Sequence, residues 1–171
     1  MRPSMLPKTI AAAALSAALL LPAAAQAQVT RVQRNKQALI LEAAKVGKNS
    51  ETIYVSGQLA SPVDPKKPMA EVKSIEEMGD TKTQTISVLG KIREILESQG
   101  FRLSDTVKLT LFVAPDPRLG KMDFAGVNEG FKQFFNTPET PVTVARSTFQ
   151  VGALVGPYYL IEIEAIAAKP A

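Results

Sequence analysis

Between residues 80 and 113 the apolar side chains change from a helical to an extended period, which commits the chain to a layered mixture of helix and sheet. Ile86, Leu89, Ile92 and Leu96 fall three and four apart, and Val88 and Ile95 widen the same stripe. That spacing gives one apolar face to a helix running to Gln99, with Asp80 or Thr81 as its cap and Gly100 as its terminator. Directly afterwards Val107, Leu109, Leu111 and Val113 alternate with Lys108, Thr110 and Phe112, so Thr106 to Val113 reads as a strand. Each element has one apolar face to bury, and the economical solution is to pack one against the other.

The flanking segments extend this pattern. Residues 52–59 are rich in β-branched and aromatic types and read as a strand, followed by a proline-rich loop from Ser61 that continues to about Met78. After the Pro115-Asp-Pro turn, a second helix is expected over about 121–135, with Phe124, Val127, Phe131, Phe134 and Phe135 at helical spacing and Asn136 closing it. Gly126 and Gly130 cost this helix about 1 kcal/mol each in propensity, so packing must hold it. Val142 to Val151 and Tyr158 to Ala168 read as two further strands joined by a Gly152…Gly156-Pro157 turn. The order strand, helix, strand, helix, strand, strand predicts an α+β sandwich with both helices on one face.

The N-terminus is of a different kind. Arg2 and Lys8 precede an apolar run from Thr9 to Leu21, Pro22 breaks it, and Ala25-Gln26-Ala27 has the small residues of a cleavage site before Gln28. This is the layout of a secretory signal peptide. The uncharged stretch Thr9 to Val29 is also long enough for a membrane anchor, but its core run is short and alanine-rich against the ~20 apolar residues a spanning helix needs. The organisation expected is a signal peptide over 1–27, an N-terminal strand or arm over 28–51, and a folded domain over 52–171. In a Gram-negative host the product would be periplasmic, with no stable membrane anchor after cleavage.

Removing Arg2 and Lys8 leaves 18 basic against 16 acidic side chains, a net +2. That does not argue for nucleic acid, which favours clustered basic residues. Arg31, Arg34 and Lys36 are the nearest to a cluster and read as a solvated arm. The chain has no Cys and no His. Disulfides, thiol chemistry, His-based triads and the usual zinc sites are therefore excluded, and any catalysis falls to carboxylates, Arg, hydroxyls, Asn and backbone groups.

Within those limits, Arg146 stands mid-strand, in phase with Val144, Thr148 and Gln150, while Glu162 and Glu164 stand mid-strand in the next one. Such residues can form an exposed sheet face or an ion pair between neighbouring strands. Alternatively, the planar guanidinium of Arg146 can grip a substrate carboxylate through two parallel hydrogen bonds, with a nearby carboxylate orienting water. Asn128 lies beside the phenylalanine stripe of the second helix, as a polar shoulder or as a pocket residue. Ser56-Gly57 marks either a bulge or a place where a ligand meets backbone.

These residues occur in an order and spacing that resembles the RidA/YjgF family of enamine/imine deaminases. The stretches that carry the resemblance are Val55-Ser-Gly-Gln-Leu, Gln84 through Gly100, Asp105-Thr-Val-Lys-Leu-Thr-Leu-Phe-Val, Met122…Val127-Asn-Glu with Phe134-Phe, Val144-Ala-Arg-Ser, and Ile161-Glu-Ile-Glu-Ala-Ile-Ala. They span about residues 52–168. The resemblance implies a chorismate-mutase-like α+β sandwich with a mixed sheet, assembled as a homotrimer with a cleft at each subunit interface. It implies that Arg146 binds a small-molecule carboxylate substrate, that Glu162 assists the attacking water, and that Asn128, Ser56 and Thr148 line the cleft. The implied reaction is hydrolysis of a 2-imino acid or its enamine tautomer to a 2-keto acid and ammonia, without metal or organic cofactor. The sequence departs from the family pattern at three places. No Gly-Pro-Tyr motif stands between Gln28 and Thr52, Thr148 occupies a position that is often Cys, and Val144 replaces a proline. A module that binds small carboxylates without turning them over is the alternative that these departures keep open.

Overall fold

The structure, a computed structural model, describes residues 29–171, so the expected signal peptide lies outside the described residues. Two three-residue strands, β1 (Thr30–Val32) and β2 (Ala43–Lys45), pair antiparallel as an N-terminal arm. The main body follows as β3 (Ser50–Leu59), α1 (Thr81–Ser98), β4 (Thr106–Val113), α2 (Phe124–Phe131), β5 (Ala145–Gln150) and β6 (Ile161–Pro170). The four long strands form one sheet in the order β3-β6-β4-β5.

This is the expected α+β sandwich, and its strand order has a physical logic. β6 runs antiparallel to both β3 and β4, and β5 runs parallel to β4, so β3, β4 and β5 share one direction. Parallel strands need crossover connections, which α1 and α2 supply. Both crossovers step across the sheet in the same direction, and connections of one hand then place both helices on the same face. The final strand fills the gap left between β3 and β4.

One expectation changes here. The strands now seen as β5 and β6 were expected to neighbour each other across the Gly152–Pro157 turn, but β4 lies between them. The segment after Gln150 is therefore not a hairpin turn. It crosses the end of β4, where Val151 N donates to Val113 O and Ala114 N to Leu160 O.

The core fills the space between sheet and helices. Val88, Leu89, Ile92 and Leu96 of α1 are fully buried, against Leu109, Leu111, Ile161, Ile163 and Ala167 from the sheet. Each of those large side chains contributes roughly 1.5–3 kcal/mol by leaving water. Asp80 caps α1, its carboxylate accepting from Thr83 N at 2.7 Å.

Helix α2 is shorter than its apolar pattern suggests. Asp123 caps it by accepting from Gly126 N at 2.9 Å, and the backbone leaves the helix after Phe131. Phe134 and Phe135 reach the core from the following turn, where Phe135 stacks on Phe131 at 4.8 Å and Asn136 takes a left-handed conformation (φ 59°). The glycines that weaken α2 let it approach α1. A Cβ on Gly130 would lie 2.7 Å from Thr85 Cβ and 3.0 Å from Lys82 O.

The arm is anchored as well. Arg31 Nη1 donates to Thr106 O (3.1 Å) and Thr143 O (2.9 Å), and its Nη2 donates to Ser104 O (2.8 Å). Burial lowers its pKa, with Asp105 opposing the shift. Arg31 is thus a clamp and not the solvated side chain expected, because three backbone carbonyls converge where β4 begins and β5 is about to start.

Candidate functional site

Register fixes which face of the sheet each candidate residue occupies. Arg146 pairs with Leu109 of β4, which in turn pairs with Ala165 of β6. Leu109 and Ala165 are core residues, so Arg146 points to the helix face. Glu162 pairs with Phe112 and Glu164 with Thr110, so both glutamates point to the opposite, open face.

Arg146 sits on the edge strand β5, beneath α2. Its Nη2 donates to Asn128 Oδ1 at 2.7 Å. Its guanidinium carbon lies 4.6 Å from the ring centre of Phe131 and 5.8 Å from that of Phe124. The aromatic faces favour the cation by on the order of 1 kcal/mol. They also exclude water, and burial alone lowers the Arg146 pKa to about 10. No ion pair among the described residues involves Arg146. Its Nε and Nη1 atoms are buried without a hydrogen-bond partner, as is Thr148 Oγ1 two residues along the same face of β5.

Buried donors without partners are rare in native proteins, and on a charged group they are costly. Arg146 therefore has the features of an anion receptor: a desolvated planar cation, one nitrogen held by Asn128 and two donor nitrogens unspent. Asn128 is a neutral amide, so it orients the guanidinium without cancelling its charge. The loop entering α2 is held to the same strand, since Met122 N donates to Gln150 Oε1 at 2.9 Å.

Ser56 and Glu162 belong to a second cluster on the open face. β3 has a bulge between Val55 and Gln58 that takes in Ser56 and Gly57, and Leu59 pairs with Glu162. Ser56 lines a cavity of about 230 Å³ with Tyr54, Lys108, Thr110, Glu164 and Ile166. Lys108 Nζ donates to Ser147 Oγ at 2.6 Å. Glu162 instead lies against Gly57. The structure thus brings Arg146, Asn128 and Thr148 together and holds Ser56 and Glu162 apart from them on the far side of the sheet.

The helical spacing of Phe124 and Phe131 does not by itself show their place around the guanidinium. The signal lay in the phase of β5. An Arg in register with the buried Val144 faces the helices, and any helix above it must roof it with large side chains. Among the described residues no group of His, Cys, Asp and Glu could hold a metal ion.

The family model described as endoribonuclease L-PSP matches residues 43–169. A RutC family protein of Pyrococcus horikoshii is 36% identical over 117 residues, 68% of this chain and 79% of the relative. The 2-iminobutanoate/2-iminopropanoate deaminase of Salmonella typhimurium is 35% identical over 117 residues, with the same shares covered. Among solved structures, a Rid family protein of Yersinia pestis superposes with a TM-score of 0.59 at 25% identity, covering 80% of this chain and 96% of that one. The YjgF gene product of Escherichia coli gives a TM-score of 0.50 at 38% identity, covering 68% and 79%.

Proposed function

The chain belongs to the endoribonuclease L-PSP family, the RidA/YjgF group, and from that premise we propose that it hydrolyses reactive 2-imino acids and their enamine tautomers to 2-keto acids and ammonia. The observation that carries the reading is the buried guanidinium of Arg146, with Nε and Nη1 unpartnered and no ion pair to a carboxylate among the described residues. A planar 2-imino acid offers a carboxylate that the free donors would hold through charge-assisted hydrogen bonds.

With the carboxylate held, the remaining task is to bring one water to the imine carbon and to manage one proton. Water adds to the C=N carbon, the nitrogen takes up a proton, and the carbinolamine collapses to the keto acid and ammonia. Glu162 is the group assigned to the water and the proton. Because Arg146 and Glu162 leave opposite faces of one sheet, the reading requires Glu162 from a second copy. Tyr54 (76% exposed) and Phe149 (43% exposed) on the open face support burial of that face between copies, which in this reading assemble as a homotrimer. Export by the N-terminal segment would place the activity in the periplasm.

The test is ammonia or keto-acid release from imino acids generated in place by an amino-acid oxidase. Wild-type protein should accelerate release and Arg146→Ala should not. Equal rates for the two would overturn the proposal.

A second reading has its own support. Within one chain Glu162 lies across the sheet from Arg146, and the Gly-Pro-Tyr motif is missing, which favours a module that binds small carboxylates without turnover. That reading predicts thermal stabilisation by 2-keto acids, abolished in Arg146→Ala, with no ammonia released.

A further inference from the structure

The bulge of β3 carries an inference about how Glu162 is held. Gly57 does not adopt a left-handed conformation, so its backbone alone does not demand glycine. The space around it does. A Cβ built at position 57 would overlap the Glu162 carboxylate, lying 2.7 Å from its Cδ and 3.0 Å from its Cγ. Glu162 therefore lies across the bare Cα of the bulge, one residue from Ser56 and two positions along β6 from Glu164.

We propose that Gly57 is a positioning residue for Glu162: the absent side chain is the seat that holds this carboxylate flat against the bulge, in the orientation that serves the water. The inference rests on the deaminase reading for its consequence in turnover, but its geometric part stands by itself. Any side chain at 57 must push Glu162 off the strand, because the colliding atoms are the flexible end of the glutamate and not the rigid backbone. Such a change moves the carboxylate while leaving both its charge and Arg146 in place. It is thus separable from removing either group. Alanine also suits a strand no worse than glycine, so the sheet should tolerate it.

The experiment compares Gly57→Ala, Glu162→Gln and the double variant Gly57→Ala/Glu162→Asp. Gly57→Ala should lower kcat on the order of a hundredfold, as expected for a misplaced proton-transfer group. It should nevertheless keep the wild-type melting temperature and the stabilisation by 2-ketobutyrate that depends on Arg146. Shortening the side chain in the double variant relieves the overlap and should return part of the lost rate. A crystal structure of Gly57→Ala should show the Glu162 carboxylate displaced. A Gly57→Ala protein with wild-type kcat, or one whose carboxylate has not moved, would overturn the inference. If wild-type protein itself releases no ammonia, the deaminase reading falls, and the position of Glu162 in the Gly57→Ala crystal still decides the geometric part.

Discussion

Arg146 and Glu162 belong to the same four-stranded sheet and project from opposite faces, their rows crossing β4 at Leu109 and Phe112. A guanidinium that receives a carboxylate and a carboxylate that serves a water must meet at one small molecule. In the proposed reaction they would do so between copies, because within one chain the sheet separates them. The two half-sites are therefore independent within a chain, and substitutions in each should have separable effects.

The Arg146 half-site holds a buried cation without a counter-charge, so replacing it should stabilise the empty protein. Arg146→Met keeps the volume and apolar contact with Phe124 and Phe131 while removing the charge. The gain expected is on the order of 1 kcal/mol, limited by partial solvent contact and by loss of the ring interactions. The sign against pH follows from the lowered pKa, about 10 in the folded protein and higher in the unfolded chain. The penalty on folding is complete below about pH 10 and is relieved only as pH rises toward the unfolded value. Denaturant melts should thus give a constant Arg146→Met difference from pH 5 to 9. A stability difference that changes sign in that range would contradict the assignment.

Asn128 offers a complementary test. Converting the neutral amide that touches Arg146 at 2.7 Å into a carboxylate, Asn128→Asp, supplies the missing counter-ion from within the chain. The empty protein should become more stable, and 2-ketobutyrate should bind at least about tenfold more weakly, since the internal carboxylate competes for the guanidinium. Calorimetric titration measures the affinity and thermal melts the stability. Unchanged affinity would mean that ligands do not reach this guanidinium.

Much of this was legible in the sequence, and the gaps have physical reasons. The apolar stripe of α1 and the alternation of β4 are local signals, repeated over several turns or residues, and both elements appear where they were read. Strand order is not local. Nothing in the Gly152–Pro157 segment says that it spans β4, because turn residues are the same whether a chain doubles back or crosses over. The end of α2 was misplaced for a related reason: Phe134 and Phe135 keep a helical spacing, yet the core recruits them from a turn. The opposite orientation of Arg146 and Glu162 could have been inferred, since Arg146 is in phase with Val144 while Glu162 alternates with Ile161 and Ile163. The roof of Phe124 and Phe131 was legible only through that phase of β5, because a phenylalanine that packs on a cation has the same spacing as one that packs on leucine.

The arm should depend on Arg31. Arg31→Ala removes three hydrogen bonds to backbone carbonyls of Ser104, Thr106 and Thr143. A loss of about 2–4 kcal/mol is expected, given the net worth of charged hydrogen bonds. Arg31→Lys should recover little, because one ammonium cannot match the planar fork. Hydrogen exchange should show faster opening over residues 30–45 than over β4. Equal protection of both segments in Arg31→Ala would show that the arm is held by other contacts.

Acid sensitivity should centre on Asp116. Its carboxylate is almost fully buried and accepts from Arg118 N, Nε and Nη2 at 2.9, 2.8 and 2.6 Å. The Arg118 side-chain hydrogen bonds hold its pKa below the usual value. A lowered carboxyl pKa contributes stability that is present above the unfolded value near 3.9 and is lost as pH falls through the folded one. Asp116→Asn should therefore destabilise by ~1–2 kcal/mol at pH 7, and urea melts should show the difference closing below about pH 4. A difference that persists undiminished at pH 2.5 would point to packing instead.

The shared site can be tested by complementation. Arg146→Ala and Glu162→Gln should each be inactive alone in the imino-acid assay. If every site takes Arg146 from one copy and Glu162 from another, co-assembly of the two variants creates interfaces where the intact Arg146 of one variant meets the intact Glu162 of the other. Random assembly of equal amounts makes about one interface in four of this kind, so about a quarter of wild-type activity should return. The mixture must be refolded or co-expressed so that subunits exchange, and chromatography of differently tagged chains confirms that they have. Mixed oligomers that stay inactive would place both groups in one chain's site, or remove Glu162 from the reaction. Recovery near a quarter is hard to obtain otherwise, because neither variant contains a complete site and only the seam between copies can supply one.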